Sequence, residues 1–136
     1  MKSTVENDKS KVLVVYEDGD GALESAAKEI KAALSRKAAV KVRAASEVSV
    51  PEVLASSTFA FGVSNHNDKS WAELKRIMTG INLAGRRAGF FVGSMGASAA
   101  LQTSFAPAEL SLVKEELSVS GDGLLKSWAA GLLTRV

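Results

Sequence analysis

Short runs of consecutive apolar residues, separated by stretches of helical periodicity, constrain this chain more than any other feature. Val12-Leu13-Val14-Val15, Phe59-Ala60-Phe61-Gly62-Val63 and residues 88–92 are nearly unbroken apolar segments rich in β-branched and aromatic side chains. A strand with one wet face alternates apolar and polar residues. A strand that is apolar at every position is covered on both faces, as in a parallel sheet flanked by helices. Between these runs the period changes. Ala22, Leu23, Ala26, Ala27, Ile30, Ala33 and Leu34 recur at helical spacing, as do Trp71, Leu74, Ile77 and Met78, and, at the end of the chain, Leu124, Leu125, Trp128, Ala129, Leu132 and Leu133.

The segments between add a short strand at 40–44, whose alternating Lys41 and Arg43 suit a sheet edge. Pro51 opens a short helical turn preceded by Ser49 or Val50. A small-residue helix begins at Ala97 and runs through Leu101 toward Phe105. Leu110, Val113 and Leu117 line a further helix or the approach to a last strand near 117–120. The predicted strands are therefore 11–16, 40–44, 57–63, 87–92 and 117–120, each followed by a helix. Such an order implies an α/β domain with a parallel sheet between two helical layers. Right-handed crossovers then place every strand-to-helix loop on one edge, where ligands of these sheets bind.

The chain has 136 residues and no cysteine. That length suits one domain over 11–136, behind a polar segment, 1–10, expected to be flexible. The missing thiols exclude disulfides, iron–sulfur clusters and cysteine nucleophiles. With a single histidine, a transition-metal site would rest on carboxylates, and none is expected. No apolar run is long enough for a membrane span or signal segment, so the expected setting is cytoplasmic and away from membranes. Net charge is only +2, although Lys28, Lys31, Arg36, Lys37, Lys41 and Arg43 cluster against Glu29. That run lacks interleaved aromatics and reads as a solvated face, with a docking surface for a protein partner as the other reading; nucleic acid is not expected.

Three loops carry the candidate chemistry: 17–21, 64–69 and 93–97. Lys11 through Tyr16, Gly21, and Glu24 to Ile30 resemble the first strand, phosphate loop and first helix of the flavodoxins. Residues 81–87 resemble the segment leading into that family's fourth strand, and Gly93 and Gly96 lie where its second flavin-contacting loop would be. The resemblance covers almost the whole chain. It implies a three-layer flavodoxin-like sandwich with a five-stranded parallel sheet in the order 2-1-3-4-5, and non-covalent FMN as cofactor. It also implies a cofactor-binding set of Asp18, Gly19, Asp20, Gly21, Ala22 and Leu23 from the first loop, Ser64, Asn65 and His66 from the second, and Gly93, Ser94, Met95 and Gly96 from the third.

The residues at those positions depart from the pattern. Where the family holds FMN phosphate with Ser and Thr hydroxyls, this chain has Asp18, Gly19, Asp20 and Leu23, with Glu17 and Glu24 beside them. Carboxylates beside a phosphate dianion repel it by about 1 kcal/mol or more each. Leu23 would present an apolar side chain to the phosphate. For the flavin ring, His66, Trp71 and Met95 are the candidate neighbours, although Trp71 reads first as core and His66 as surface.

A magnesium pocket from Glu17, Asp18 and Asp20, as in receiver domains, lacks its phosphoacceptor aspartate, since Gly62, Val63 and Ser64 stand after the third strand. Ser64, His66 and Asp68 form neither a nucleophile elbow nor a triad. The expectation is a binding or regulatory domain with an altered FMN site and no catalysis of its own, directed at a protein or small ligand. The alternative is an FMN electron carrier.

Overall fold

The computed structural model describes residues 10–113, 115–119 and 125–133. The expected flexible segment lies outside them except for Ser10, which pairs with Ala38. The sheet is built from β1 (Ser10–Tyr16), β2 (Ala38–Ala44), β3 (Thr58–Val63), β4 (Arg87–Val92), β5 (Ser111–Leu112) and β6 (Leu117–Ser118). All pairings are parallel, in the order β2-β1-β3-β4-β5, and β6 also pairs with β4. β5 and β6 are two pieces of one fifth strand, so the sheet has the three-layer, 2-1-3-4-5 form.

The continuous apolar runs have the reason the sequence suggests. Val12 and Val14 point into a cluster with Leu23, Ala27, Ile30, Ala129 and Leu132, from α1 (Gly21–Leu34) and α5 (Leu125–Leu133). Leu13 and Val15 point the other way, into a second cluster covered by α2 (Val50–Ala55), α3 (Ala72–Thr79) and α4 (Ala99–Phe105). That layer centres on rings: Phe61 lies 5.7 Å from Phe59, 5.5 Å from Phe90 and 5.0 Å from Phe105, and Trp71 lies edge-on to Phe105.

The caps explain the helix starts. Ser49 and Glu52 form a reciprocal capping box around Pro51, which opens α2. Arg86 donates to the Val53, Leu54 and Ser56 carbonyls at the end of that helix. β2 is the edge strand, and Lys41 and Arg43 reach Glu52 at 3.5 and 2.7 Å. Lys28 pairs with Glu24 at 3.4 Å, so half of the basic run is engaged within the molecule.

Two expectations are corrected. Leu110, Val113 and Leu117 line no helix. Backbone N–H groups of Ser111, Val113 and Val119 donate to carbonyls of β4 and its flank, which draws this segment into the sheet. The place of Trp128 in the apolar stripe predicts a ring largely buried against the sheet that anchors the last helix; the ring packs there but is half-buried. Its ring packs edge-on against Phe91 at 6.2 Å, but its indole N–H turns outward to the Glu115 carbonyl at 3.0 Å, the polar tip that keeps tryptophan near a surface. Leu124 lies outside the described residues. Trp128→Ala is accordingly expected to cost about 2–3 kcal/mol, below the range for a fully enclosed ring. A loss under about 1 kcal/mol in urea unfolding would make the contact peripheral.

Candidate functional site

β1, β3 and β4 end side by side, and their following loops form the carboxyl edge of the sheet. In the first loop the turn is made by Gly19, whose φ of +78° is left-handed and suits glycine. Gly21, which the resemblance places at the loop glycine, is the first residue of α1. Asp20 is the N-cap: its Oδ1 accepts from the Leu23 N–H at 3.0 Å, and its carbonyl accepts from Glu24 N–H. Ala22 is exposed, whereas Leu23 is fully buried with Ala26, Ala27 and Ile30. Leu23 therefore belongs to the apolar stripe of α1, and the expectation that it faces a phosphate is overturned by that periodicity.

The other acids of this loop also have partners. Asp18 accepts from the Ser46 N–H at 3.1 Å and from the Ser46 hydroxyl. Glu17 is buried, with 6% exposure. One of its oxygens accepts from Ser64 N–H at 2.9 Å, Asn65 N–H at 2.8 Å and Trp71 Nε1–H at 3.1 Å. Trp71 is fully enclosed, in line with its reading as core. Ser64 Oγ donates to Asp20 at 2.9 Å, not to His66, so Ser64, His66 and Asp68 do not assemble a nucleophile. His66 is half-buried, and its carbonyl accepts from Lys75 at 2.8 Å. Among the described residues no group of three or more His, Asp or Glu converges as a metal site.

The third loop turns at Gly96. Glu116, between β5 and β6, closes it: its carboxylate accepts from Gly96 N–H at 2.6 Å, from Ser98 N–H at 3.0 Å and from the Ser98 hydroxyl. Ser94 is exposed, and a Cβ at Gly93 would lie 2.7 Å from Ser64 Oγ, so the second and third loops touch there. Met95 projects from this loop with 65% exposure.

Carboxylates thus dominate the potential of the edge. Partial burial, helped by Glu24 and Glu47, pushes the Tyr16 phenol up. Burial also pushes the Glu116 carboxyl up, but the hydrogen bonds from Gly96 and Ser98 outweigh it and hold the group below the ordinary glutamate value of 4.5. A carboxyl lowered in the folded state contributes stability that is present above its unfolded pKa and lost as pH falls through the folded value. Acid unfolding should therefore be less steep in Glu116→Gln than in the wild type, read as melting temperature against pH. An identical acid limb would show that Glu116 does not carry this term.

At the FMN phosphate position that the resemblance implies, the side chains differ from the family's. The hydroxyls expected around it are carboxylates here, and Asp20 already satisfies the Leu23 N–H at the helix start. The Ser64 and Asn65 N–H groups of the second loop are engaged by Glu17, and the Gly96 N–H of the third by Glu116. Glu17 and Glu116 could not be singled out as hubs from the sequence, because their partners lie 47, 48 and 54 residues away for Glu17 and 20 and 18 for Glu116. The only local signal was an acid directly after an apolar strand, in a chain whose buried tryptophan needs an acceptor.

No protein-family model matches the chain, and no curated protein matches its sequence. Solved structures do. A flavodoxin of Streptococcus pneumonia TIGR4 superposes with a TM-score of 0.78 at 15% identity, covering 93% of this chain and all of the other. A short-chain flavodoxin associated with a non-canonical PDU bacterial microcompartment gives 0.76 at 14% identity, covering 91% and 97%. Flavodoxin 2 from Bacillus cereus gives 0.71 at 20% identity, covering 90% and 94%. The chain has the flavodoxin-like fold. No helix among the described residues is long and apolar enough to cross a membrane.

Proposed function

We propose that this chain is a flavodoxin-fold binding or regulatory domain without catalysis of its own, in which the cofactor edge is closed by the protein's own carboxylates. One observation carries the reading: backbone donors of all three edge loops are engaged by Asp20, Glu17 and Glu116. A domain of this kind works by presenting the edge, with Met95 at its rim, to a protein or a non-phosphorylated small ligand. Fold alone does not fix function, so the residues of the edge weigh more than the architecture. The second reading, an FMN electron carrier, is favoured by the similarity over nearly the full chain to solved flavodoxins.

Fluorescence titration with FMN separates the two. The proposed reading expects a colourless purified protein and a dissociation constant in the high-micromolar range or weaker, at least about 100 μM. Sub-micromolar binding, or flavin absorbance in the purified protein, would establish the second reading instead.

A further inference from the structure

We propose that Ser64 N–H, Asn65 N–H and Trp71 Nε1–H form a built carboxylate site whose tethered occupant is Glu17, and that Glu17 thereby determines what the second loop can recognise. The three donors reach one carboxylate oxygen at 2.9, 2.8 and 3.1 Å. The occupant is 6% exposed and its indole partner fully buried. Among the described residues Glu17 forms no ion pair, and its partners are N–H groups. Charge-assisted bonds to N–H groups are the strong kind, and a low-dielectric setting strengthens them further.

The site is held from three directions. Ser64 and Asn65 follow β3 directly, so the sheet fixes their N–H groups. Trp71 ends a 3-10 turn, Lys69–Trp71, capped by Asp68, whose carboxylate accepts from the Ser70 N–H at 3.1 Å and hydroxyl at 2.6 Å. Glu17 follows β1, and its own N–H donates to the Gly62 carbonyl at 2.9 Å. The donors therefore keep their places when the side chain that satisfies them is shortened. A buried set of N–H groups without an acceptor is costly. Glu17→Ala removes a carboxymethyl group, and the space it leaves matches a small planar monoanion, formate or acetate.

This inference rests on the reading that the edge donors are committed to the chain's own acceptors, and its test is independent of flavin. Glu17→Ala is melted in sodium formate and in sodium chloride of equal ionic strength, and its amide and indole N–H resonances are followed by NMR. The expected result is a melting temperature several degrees below wild type in chloride, partly restored by formate. The Ser64, Asn65 and Trp71 indole signals should shift together along one saturable, millimolar curve, while the wild type and Glu17→Gln should not respond. Glu17→Gln keeps an acceptor oxygen without the charge, so the same three signals should move upfield relative to wild type even with no salt added.

An absence of formate-dependent shifts in Glu17→Ala overturns the proposal, as does an equal response in the wild type. If Glu17→Ala fails to fold in chloride, recovery of its folded spectrum in formate supports the site. Failure in both salts, with unmoved signals in Glu17→Gln, overturns it. Tight FMN binding by the wild type would defeat the proposed function while leaving a positive formate result standing.

Discussion

Asp18→Ser combined with Asp20→Thr is expected to tighten FMN binding at least about tenfold over the wild type. Each substitution removes a negative charge from the loop where the resemblance implies the phosphate and adds a hydroxyl donor. Two charges at contact distance, at about 1 kcal/mol each in a water-like medium, more than account for a factor of ten. Threonine retains the capping role of Asp20 at the start of α1, so the helix survives the change. The loss of Asp18 sacrifices only its exposed bonds to Ser46.

Adding Leu23→Thr, at the last of the hydroxyl positions the resemblance implies, is expected to destabilise the fold. Leu23 is fully buried on the stripe of α1, and threonine there removes apolar volume and buries a hydroxyl, for a loss of about 2–4 kcal/mol. The repaired loop is therefore expected to work best with Leu23 intact. FMN titration and urea unfolding of the double and triple variants measure the two effects separately. An unchanged dissociation constant in the double variant would refute charge repulsion as the dominant obstacle and place it in loops 64–69 and 93–97.

Phe61→Ala is expected to cost about 3–5 kcal/mol, enough to bring a domain of this size close to its unfolding threshold. Phe61 is fully buried at the middle of the ring cluster, and its contacts with Phe59, Phe90 and Phe105 come from three different elements. No neighbour can collapse into the space without leaving its own. The adjacent Gly62 makes the complementary case. Glycine within a strand is ordinarily improved by alanine, which loses less chain entropy on folding. At Gly62 an added Cβ would lie 2.3 Å from Phe91 Cε2 and 2.5 Å from its Cζ. Phe91 is fully buried and packs edge-on against Trp128, so the ring must shift within the core and Gly62→Ala is expected to lose about 1–3 kcal/mol. Urea unfolding of both variants decides the matter. A Gly62→Ala protein as stable as the wild type would show that the Phe91 ring moves freely.

The sequence by itself determined the architecture. Apolar runs at Val12–Val15 and across β3 and β4 admit only strands buried on both faces, and the helical stripes between them supply the covering layers. These signals are local, since a side chain's direction on a strand or helix follows from its period. β2 as an edge strand was legible for the same reason.

The fifth strand was read less well because two two-residue pieces carry almost no periodicity of their own. Their strand character comes from N–H groups that find acceptors on β4. The depth of Trp128 depended on where a distant carbonyl, that of Glu115, stood. The direction of Leu23 follows its helical stripe and not its position in the family's loop.

The condition of the carboxyl edge of the sheet was decided by tertiary structure alone. Glu17, Asp18 and Asp20 read in sequence as one block of like charge. In the fold, each carboxylate turns to donors on a different segment, Glu17 to the second loop, Asp18 to Ser46 and Asp20 to the start of α1, while Glu116 arrives from beyond the fourth helix to close the third loop. Hydrogen-bond donors are satisfied by whichever acceptor the fold brings within 3 Å, and sequence separation carries no information about that distance.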